Sequence, residues 1–506
     1  MGSTFSGLQL AKSGLYTSQT ALNTTGHNIS NVNTQGYVRQ NVISCEQYPL
    51  SFGNKQIGMG VEVSTVRQMR SIFLDNIYRQ ENSRLGYWNT MSGAVEDIEE
   101  VFGELSSNDL ATSLSEFFSG WDELSKDADN LMARDQLLEY GISLVDVFGQ
   151  INKQLDQIQK DLDGQIVSLV DEINVAAKRI AELNGIIIKA ELNGDNANDY
   201  RDELNYLIDK LSTYMDVDVS IDSGNMYRVS INGANLVNGI HYQQLVCGTR
   251  LANGTFNTVV WERSGIEVKL DSGKLLGLIE ARGHVVGGKG SIDNGSPDES
   301  GVLEADVDAD SDLFNFMGSS SNLIPEIRKG LNMLVSLLTR KVNAIHRSGI
   351  GLDGSTGLDF FVKINEDLPF EAGNIKVNEE LEDSAKIAAS QTGDSGDGSN
   401  ANRIVKFGEE KYYQYNGVKT TVDDFFSLVI DWVGIKGQEA ETFSLNQGTL
   451  VEETFNQKKA LSEVSMDEEM SNLIRYQHAY NASAQVLNTM DGMLDRIINQ
   501  MGLVGR

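Results

Sequence analysis

The chain has 506 residues, enough for three or four domains that each bury a core of their own. Asp and Glu number 72 against 41 Lys and Arg, and this acidic balance disfavours nucleic acid or an anionic membrane as the main partner. No apolar run reaches the roughly twenty residues needed to cross a bilayer, and residues 1–10 carry no basic stretch followed by an apolar block. We therefore expect a location in the cytoplasm, or export by a route that leaves the N-terminus intact.

The first predicted element is a helix with a seven-residue apolar repeat. The large apolar positions of this repeat are Leu8, Leu15, Leu22 and Ile29, and the small residues Ala11, Ser18 and Thr25 lie beside them. A narrow stripe of this kind is typical of a coiled-coil seam and must be buried against a partner helix.

A loop rich in Asn and Gly, both suited to tight turns, follows this helix. Its residues match a signature of the form A/N-N-I-A/S-N-x-x-T-x-G-Y at Asn28, Ile29, Ser30, Asn31, Thr34, Gly36 and Tyr37. In this signature the chain resembles the axial proteins of the bacterial flagellum. It departs from the pattern at His27, where Asn is usual, and at Gln35, where Pro is common. Arg39 and Gln40, the segment LSEFFSGW at 114–121 and the acidic stretch YRDEL at 200–204 are similar to the hook-associated members of that family.

The middle of the chain predicts helices first and strands afterwards. Residues 38–71 are mixed and extended, and from Ile72 to about Asn193 the pattern is helical. Within it, apolar residues in steps of three and four from Ile151 to Ile187 predict a straight helical rod of about 55 Å. Alternating apolar residues from Val217 to Ile231, with turns at Ser223-Gly224 and Asn232-Gly233, predict a β-rich domain. Leu323–His346 predicts a further helix.

The last predicted helix carries a second seven-residue repeat. Its members are Met466, Leu473, Tyr480, Leu487, Leu494 and Met501, with Met470, Ala484 and Ile498 in part of a second seam position four residues on. Two half-seams at opposite ends of the chain predict that the termini pair with each other.

These elements predict a mainly α fold, nested around an inserted β-rich domain. Residues 1–45 and 455–506 would form a terminal helical domain that pairs as a coiled-coil-like bundle. Residues 46–195 and 323–454 would form a helical rod domain with mixed segments, and 196–322 the β-rich outer domain.

Candidate catalytic and metal sites are weak. Cys45 and Cys247 fit neither a zinc site nor a redox pair, and we expect two buried thiols. The five histidines are scattered, and the near phosphate loop at 283–290 has Gly290 where Ser or Thr should bind magnesium. Alternating aspartates from Asp306 to Asp312 leave open a weak calcium site, with a solvated acidic loop as the alternative. We therefore expect no cofactor, no metal and no enzymatic activity.

The resemblance implies a structural subunit that assembles at the junction of the flagellar hook and filament. It implies a ring of copies of the chain, contacts with the hook protein and with a second junction protein, and an export chaperone on the C-terminal helix. It also implies type III export to the outside of the cell without a cleaved signal peptide. The alternative is a surface-exposed adhesin or binding module carried by the β-rich domain.

Overall fold

A computed structural model describes residues 2–52, 55–103, 110–192, 196–222, 224–248, 256, 258–283, 315–316, 322–411, 413–415 and 418–500. Most of this part of the chain is helical. The helices are α1 (Gly2–Ser30), α2 (Ile72–Gly103), α3 (Leu110–Lys126), α4 (Leu131–Leu192), α5 (Asn198–Tyr214), α6 (Lys274–Arg282), α7 (Leu323–Arg347), α8 (Ser399–Glu409), α9 (Val422–Ser462) and α10 (Met466–Gln500). The prediction of a mainly α protein is confirmed.

The strands form small, separate sheets. They are β1 (Gln40–Glu46), β2 (Leu50–Phe52), β3 (Lys55–Ile57), β4 (Val61–Gln68), β5 (Asp218–Ile221), β6 (Tyr227–Ile231), β7 (Ala234–Asn238), β8 (His241–Tyr242), β9 (Leu245–Cys247), β10 (Val259–Trp261), β11 (Asn315–Phe316), β12 (Phe361–Val362), β13 (Lys376–Val377), β14 (Tyr413–Tyr415) and β15 (Val418–Thr420). The largest sheet has four antiparallel strands in the order β5-β6-β7-β8. Asn232 and Gly233 both have positive φ, as the turn between β6 and β7 requires.

The rod-like stripe predicted from Ile151 to Ile187 lies within α4, a single helix of 62 residues. Its apolar positions are buried, with the exception of Ile158, which is half-buried beside the buried Gln159. The Gln159 side chain donates to the main-chain oxygen of Arg282, which satisfies one polar atom inside the stripe.

The chain divides into two compact units, each built from separated segments. The terminal unit contains Met1–Asn82, Ile173–Gln244 and Gly448–Arg506, and the central unit contains Ser83–Glu172 and Leu245–Gln447. The four-stranded sheet therefore shares a unit with both chain ends. The helices α2, α4 and α9 each contribute residues to both units.

An aromatic cluster forms the core of the central unit. Phe117, Trp121, Phe360 and Phe361 are all fully buried, with ring centroids about 5–6 Å apart. His346 packs among them, donates through Nδ1 to Leu358 and accepts the Ala388 amide at Nε2. Burial lowers the pKa of His346, so this histidine is a neutral packing residue.

The cysteines differ from the prediction. Cys45 is exposed on β1 and Cys247 is half-buried on β9, and each of these strands belongs to a two-stranded sheet. The candidate calcium loop at 306–312, with Met317, and the phosphate-loop positions Gly288 and Lys289 lie outside the described residues.

Candidate assembly interface

The two chain ends meet as an antiparallel pair of helices. A methyl group at Gly7 of α1 would come within 2.6 Å of Met490 Cε on α10, and one at Gly14 within 2.8 Å of Ser483 Oγ. At the other end of the pair, Asn28 Nδ2 donates to Glu469 Oε2 at 3.1 Å. Because each step of seven along α1 is matched by a step of seven backwards along α10, the register is constant over the pair.

The seam residues of α1 are small, and those of α10 are larger except for Ser483. The buried or half-buried seam of α1 consists of Gly7, Ala11, Gly14, Ser18, Ala21, Thr25 and Asn28, and that of α10 of Glu469, Leu473, Tyr476, Tyr480, Ser483, Leu487, Met490 and Leu494. Both follow the alternating three-and-four spacing of a coiled coil. The predicted pairing of the termini is confirmed, and the small residues of α1 allow the two backbones to approach closely.

The predicted leucine stripe of α1 lies beside this seam. Leu8, Leu15, Leu22 and Ile29 each follow a seam residue directly and remain half-buried. The seam within the chain therefore leaves part of every one of these side chains uncovered.

On α10 the predicted stripe occupies one of the two seam positions. Leu473, Tyr480, Leu487 and Leu494 are half-buried there, whereas Met466 is 42% exposed and Met501 lies outside the described residues. The second seam position differs from the expectation, because it falls three residues on, at Glu469, Tyr476, Ser483 and Met490. Met470 is accordingly 47% exposed, Ala484 is half-buried, and the side chain of Ile498 is not described.

Asn28 of the signature is the polar end of the seam. It is 1% exposed, and all four of its hydrogen-bonding positions have partners. Its Nδ2 donates to Gln40 O and Glu469, while its Oδ1 accepts from the Gln40 amide and from Tyr37 Oη at 2.8 Å. This one amide joins α1, the start of β1 and α10.

Tyr37 donates a hydrogen bond to the oxygen of the Asn28 side-chain amide. Burial raises the pKa of Tyr37, as do the nearby carboxylates of Asp199, Asp202 and Glu469, so the hydroxyl stays protonated and donates to Asn28. His27 Nδ1 lies 3.0 Å from the same hydroxyl and donates to it. The residue that departs from the family signature is thus part of the same network.

The rest of the signature shapes the turn after α1. Asn31 donates to His27 O and accepts from Thr34 Oγ1, and the Tyr37 amide donates to Thr34 O. Gly36 has φ of +82°, and a side chain there would also press on Tyr206 at 3.1 Å. Gly36 therefore satisfies both a backbone and a packing requirement. The half-buried Ile29 and the exposed Ser30 complete the helix end.

Arg39 connects this loop to the start of α10. Its guanidinium contacts Glu469 Oε1 at 2.7 and 2.9 Å and Glu468 at 2.7 Å, and its amide donates to Ser462 O at the end of α9. Glu469 is 2% exposed, so its charge depends on Arg39 and Asn28 for compensation. In the sequence nothing distinguishes Glu469 from the neighbouring Asp467 and Glu468.

Two aspartates at the start of α5 also accept hydrogen bonds from the loop and from the strands that follow it. Asp202 accepts from the Val38 amide at 3.2 Å and from Gln68 Nε2 at 2.7 Å, and Asp199 accepts from Gln40 Nε2. Burial raises the pKa of Asp202 to about 7, although the Val38 amide and Arg70 act in the opposite direction. The YRDEL stretch thus positions the signature loop.

The terminal unit also contains a buried cluster of ion pairs. Asp209 contacts Arg79 at 2.7 Å and also Lys458, while Asp75 contacts Arg70 and Lys458. Burial alone would raise the pKa of Asp209, but Arg79, Lys458 and Arg70 outweigh it and lower that pKa. The cluster ties α2, α5 and α9 together and borders a cavity of about 430 Å³ that is also lined by Gly36, Tyr78, Tyr206 and Phe455.

The interface is built for packing and register. The buried carboxylates of Glu469 and Asp209 are paired with basic side chains. In the part of the chain that the structure covers, no cluster of three His, Cys, Asp or Glu side chains could hold a metal ion. Within the same ranges, no helix has the length and apolar character needed to span a membrane.

Comparison with protein families gives three matches along the chain. A model of the flagellar hook-associated protein FlgK helical domain matches residues 95–361. The C-terminal model of flagellar basal body rod FlgEFG proteins matches 460–501, and a flagella basal body rod protein model matches 8–37. The last two cover α10 and all of α1 from residue 8 onward, the paired helices.

Curated relatives match over almost the full length. Flagellar hook-associated protein 1 of Bacillus subtilis (strain 168) is 31% identical, with 100% of each chain covered. Its namesake in Escherichia coli (strain K12) is 27% identical, over 97% of this chain and 98% of that one.

A solved structure shows a similar fold. The flagellar hook junction protein FlgK from Burkholderia pseudomallei matches with a TM-score of 0.59 and 14% identity, over 77% of this chain and 100% of that one. None of these matches supports an adhesin. The chain belongs to the flagellar hook-associated protein 1 (FlgK) family.

Proposed function

We propose that this protein is a structural subunit of the bacterial flagellum that forms the junction between hook and filament. The relatives are named as hook-associated proteins, and the similar solved structure is described as a hook junction protein. The protein acts by assembling through its terminal helices, and its role is structural rather than enzymatic.

The observation that carries this proposal is the half-buried apolar stripe of α1. Leu8, Leu15, Leu22 and Ile29 lie on a helix whose seam with α10 is complete without them. Fully burying a leucine is worth about 1.5–3 kcal/mol, so covering the remaining half of each contributes about 1 kcal/mol. Four such side chains per subunit, repeated around a ring, favour association over the free chain.

The ordering of the terminal helices is coupled to that association. A narrow-stripe helix gains little from propensity alone, because nucleation is costly and its uncovered apolar face stays in water. In the free subunit we expect α1 and α10 to open readily, and in the assembly we expect them to be held closed by neighbouring copies.

The partners follow from the position in the flagellum. They are the hook protein on one side, a second junction protein on the other, and copies of this chain around the ring. A cytoplasmic export chaperone would use the apolar repeat predicted from the sequence, namely Met466, Leu473, Tyr480, Leu487, Leu494 and Met501, before assembly covers it. Export by the flagellar type III route would bring the chain outside the cell without removal of an N-terminal signal.

Isolated hooks that lack filaments provide the test. Purified full-length chain is added to hooks from the same source, and the hook ends are examined by electron microscopy. A short added cap supports the proposal, and the cap should be absent when residues 2–30 or 466–500 are deleted. Hook ends that stay bare with the intact chain would contradict the junction role.

A further inference from the structure

The apolar side chains in the seam between α1 and α10 do little to fix the register in which the two helices pair. On α1 every seam residue from Gly7 to Thr25 is small. On α10 one of the two seam positions repeats with similar content at intervals of seven, at Leu473, Tyr480, Leu487 and Leu494. A slip by one heptad would again set large side chains against small ones, so the apolar layers alone specify the register weakly.

One layer of the pair is different, because it is polar, charged and buried. Asn28 and Glu469 face each other at 3.1 Å, and each is almost completely shielded from water. Glu469 Oε1 is engaged by Arg39, and every hydrogen-bonding position of Asn28 has a partner. A pair slipped by one heptad would separate Glu469 from Asn28 and Arg39. The buried Asn28 amide would then lose the carboxylate that accepts from its Nδ2, which is an unfavourable state.

We infer that Asn28 and Glu469, with Arg39, are positioning residues that determine the register of the paired terminal helices. The layer acts at the closed end of the pair, where the chain turns from α1 into β1 and from α9 into α10. A single buried polar layer is a known means of setting register in coiled coils, at some cost in stability. The inference rests on the proposed function only in that these helices are the assembly surface, and it concerns the free chain.

The short connection between α9 and α10 is the competing determinant of register. Only residues 463–465 separate these two helices, and Val464 is buried. A slip that sets Asn28 against Tyr476 remains possible if the first two turns of α10 unwind and lengthen the connection. The opposite slip would have to stretch it. The polar layer and the connection can therefore be separated by experiment.

Disulfide cross-linking reads the register directly. An ideal Cβ built at Gly14 lies 3.6 Å from Ser483 Cβ, within the range that a disulfide requires. The full-length chain carries Cys45→Ser and Cys247→Ser, with Gly14→Cys combined either with Ser483→Cys for the native register or with Met490→Cys for the slip. Dilute protein is oxidised, and the intramolecular product is measured on non-reducing gels. With Asn28 and Glu469 intact, the native pair should form at least about tenfold faster than the slipped pair.

Moving the polar residue along α10 provides the decisive variant. Glu469→Ala combined with Tyr476→Glu keeps one buried carboxylate for Asn28 and Arg39 but places it one heptad later. We expect the preferred cross-link to move from Gly14→Cys/Ser483→Cys to Gly14→Cys/Met490→Cys. The inference would be overturned if the native cross-link remained dominant in this variant while circular dichroism showed unchanged helical content. The register would then be determined by residues 463–465.

A second variant guards against a failure to fold. Glu469→Gln keeps the shape and the hydrogen bond to Asn28 at the native position, so it should retain the native cross-link. If Glu469→Gln cross-links normally while the relocated variant forms neither product, the relocated carboxylate does not recruit Asn28, and the inference fails. Hook capping by the same proteins reports separately on the proposed function.

Discussion

At the scale of single residues, Asp202 couples the signature loop to pH. Burial raises its pKa from 3.8 to about 7, so the folded protein holds the proton more tightly than the unfolded chain does. The stability contributed by this group is complete below about pH 4 and is lost as the pH rises through about 7. The largest effect that this shift allows is about 4 kcal/mol.

The variant Asp202→Asn tests this coupling. Because Asn cannot ionise, its stability relative to the wild type should be greater at pH 8 than at pH 5, by an amount on the order of 2–4 kcal/mol. Urea denaturation followed by far-UV circular dichroism at both pH values measures the difference. An exposed carboxylate of the same unit, changed by Asp218→Asn, serves as the control. If the difference in the free energy of unfolding between the wild type and Asp202→Asn did not change with pH, the raised pKa of Asp202 would be contradicted.

The residue scale also shows what the sequence could and could not predict. Asn28 and Tyr37 were identifiable from the signature, because their types and spacing are characteristic. Their partner Glu469 was not, since a glutamate in the first turn of a helix normally indicates a favourable interaction with the helix dipole. Only the fold brings Arg39 and Asn28 to it, across more than 400 residues of chain.

At the scale of elements, the close approach of α1 and α10 depends on Gly14. A Cβ there would already meet Ser483 Oγ at 2.8 Å, whereas one at Gly26 on the same helix has nothing within 4 Å. Gly14→Leu should therefore separate the pair and destabilise the terminal unit by about 1–3 kcal/mol. Gly26→Leu should be neutral or stabilising by up to about 1 kcal/mol, because leucine is the better helix former. Thermal denaturation measures both variants. Equal shifts of the melting temperature in the two would contradict the close packing at Gly14.

The apolar stripe of α1 gives a second prediction at this scale. Leu15→Glu with Leu22→Glu should abolish incorporation into hook ends, because charges would replace the half-buried surface that we propose neighbouring copies cover. The matched control is Gln19→Glu with Asn23→Glu, which adds the same charges at exposed positions of α1. Sedimentation with hooks measures incorporation. Equal incorporation of the two double variants would show that the stripe is not the assembly surface.

That α1 and α10 pair was easier to predict than which side chains of each helix lie in the seam. The heptads of Leu8 to Ile29 and of Leu473 to Leu494 correctly indicated two helices that pair. The spacing did not reveal that on α1 the small residues fill the seam while the leucines flank it. Apolar periodicity identifies a stripe, but a stripe that serves both an internal seam and an external surface is wider than one seam. The second position on α10 was displaced by one residue for the same reason.

At the scale of the whole molecule, the two compact units should respond separately to changes in the terminal helices. All four tryptophans, Trp88, Trp121, Trp261 and Trp432, belong to the central unit. In Gly14→Leu, the urea transition seen by tryptophan fluorescence should coincide with that of the wild type. Far-UV circular dichroism should show helix loss at lower urea, since α1 and α10 belong to the terminal unit. A fluorescence transition shifted by as much as the circular dichroism would indicate one cooperative unit.

The same scale sets the limit of prediction from sequence. The order of helices and strands was readable, including the turn at Asn232-Gly233 and the long helix through Ile151 to Ile187. The grouping of the four-stranded sheet with both chain ends was not, because the segment that carries the sheet is joined to them by contacts such as those of Asp202 with Val38 and of Asp209 with Lys458. Such long-range polar contacts leave no periodic signal.

The most direct test of the account is amide hydrogen exchange of α1 and α10 in the free chain and in chain bound to hook ends. We expect amides across 8–29 and 473–494 to exchange readily in the free chain and to become strongly protected on binding, because association holds these helices closed. Amides of the central aromatic core, near Phe117 and Phe360, should change little. Protection of α1 and α10 that is already complete in the free chain, or unaltered by binding, would contradict assembly through the terminal helices.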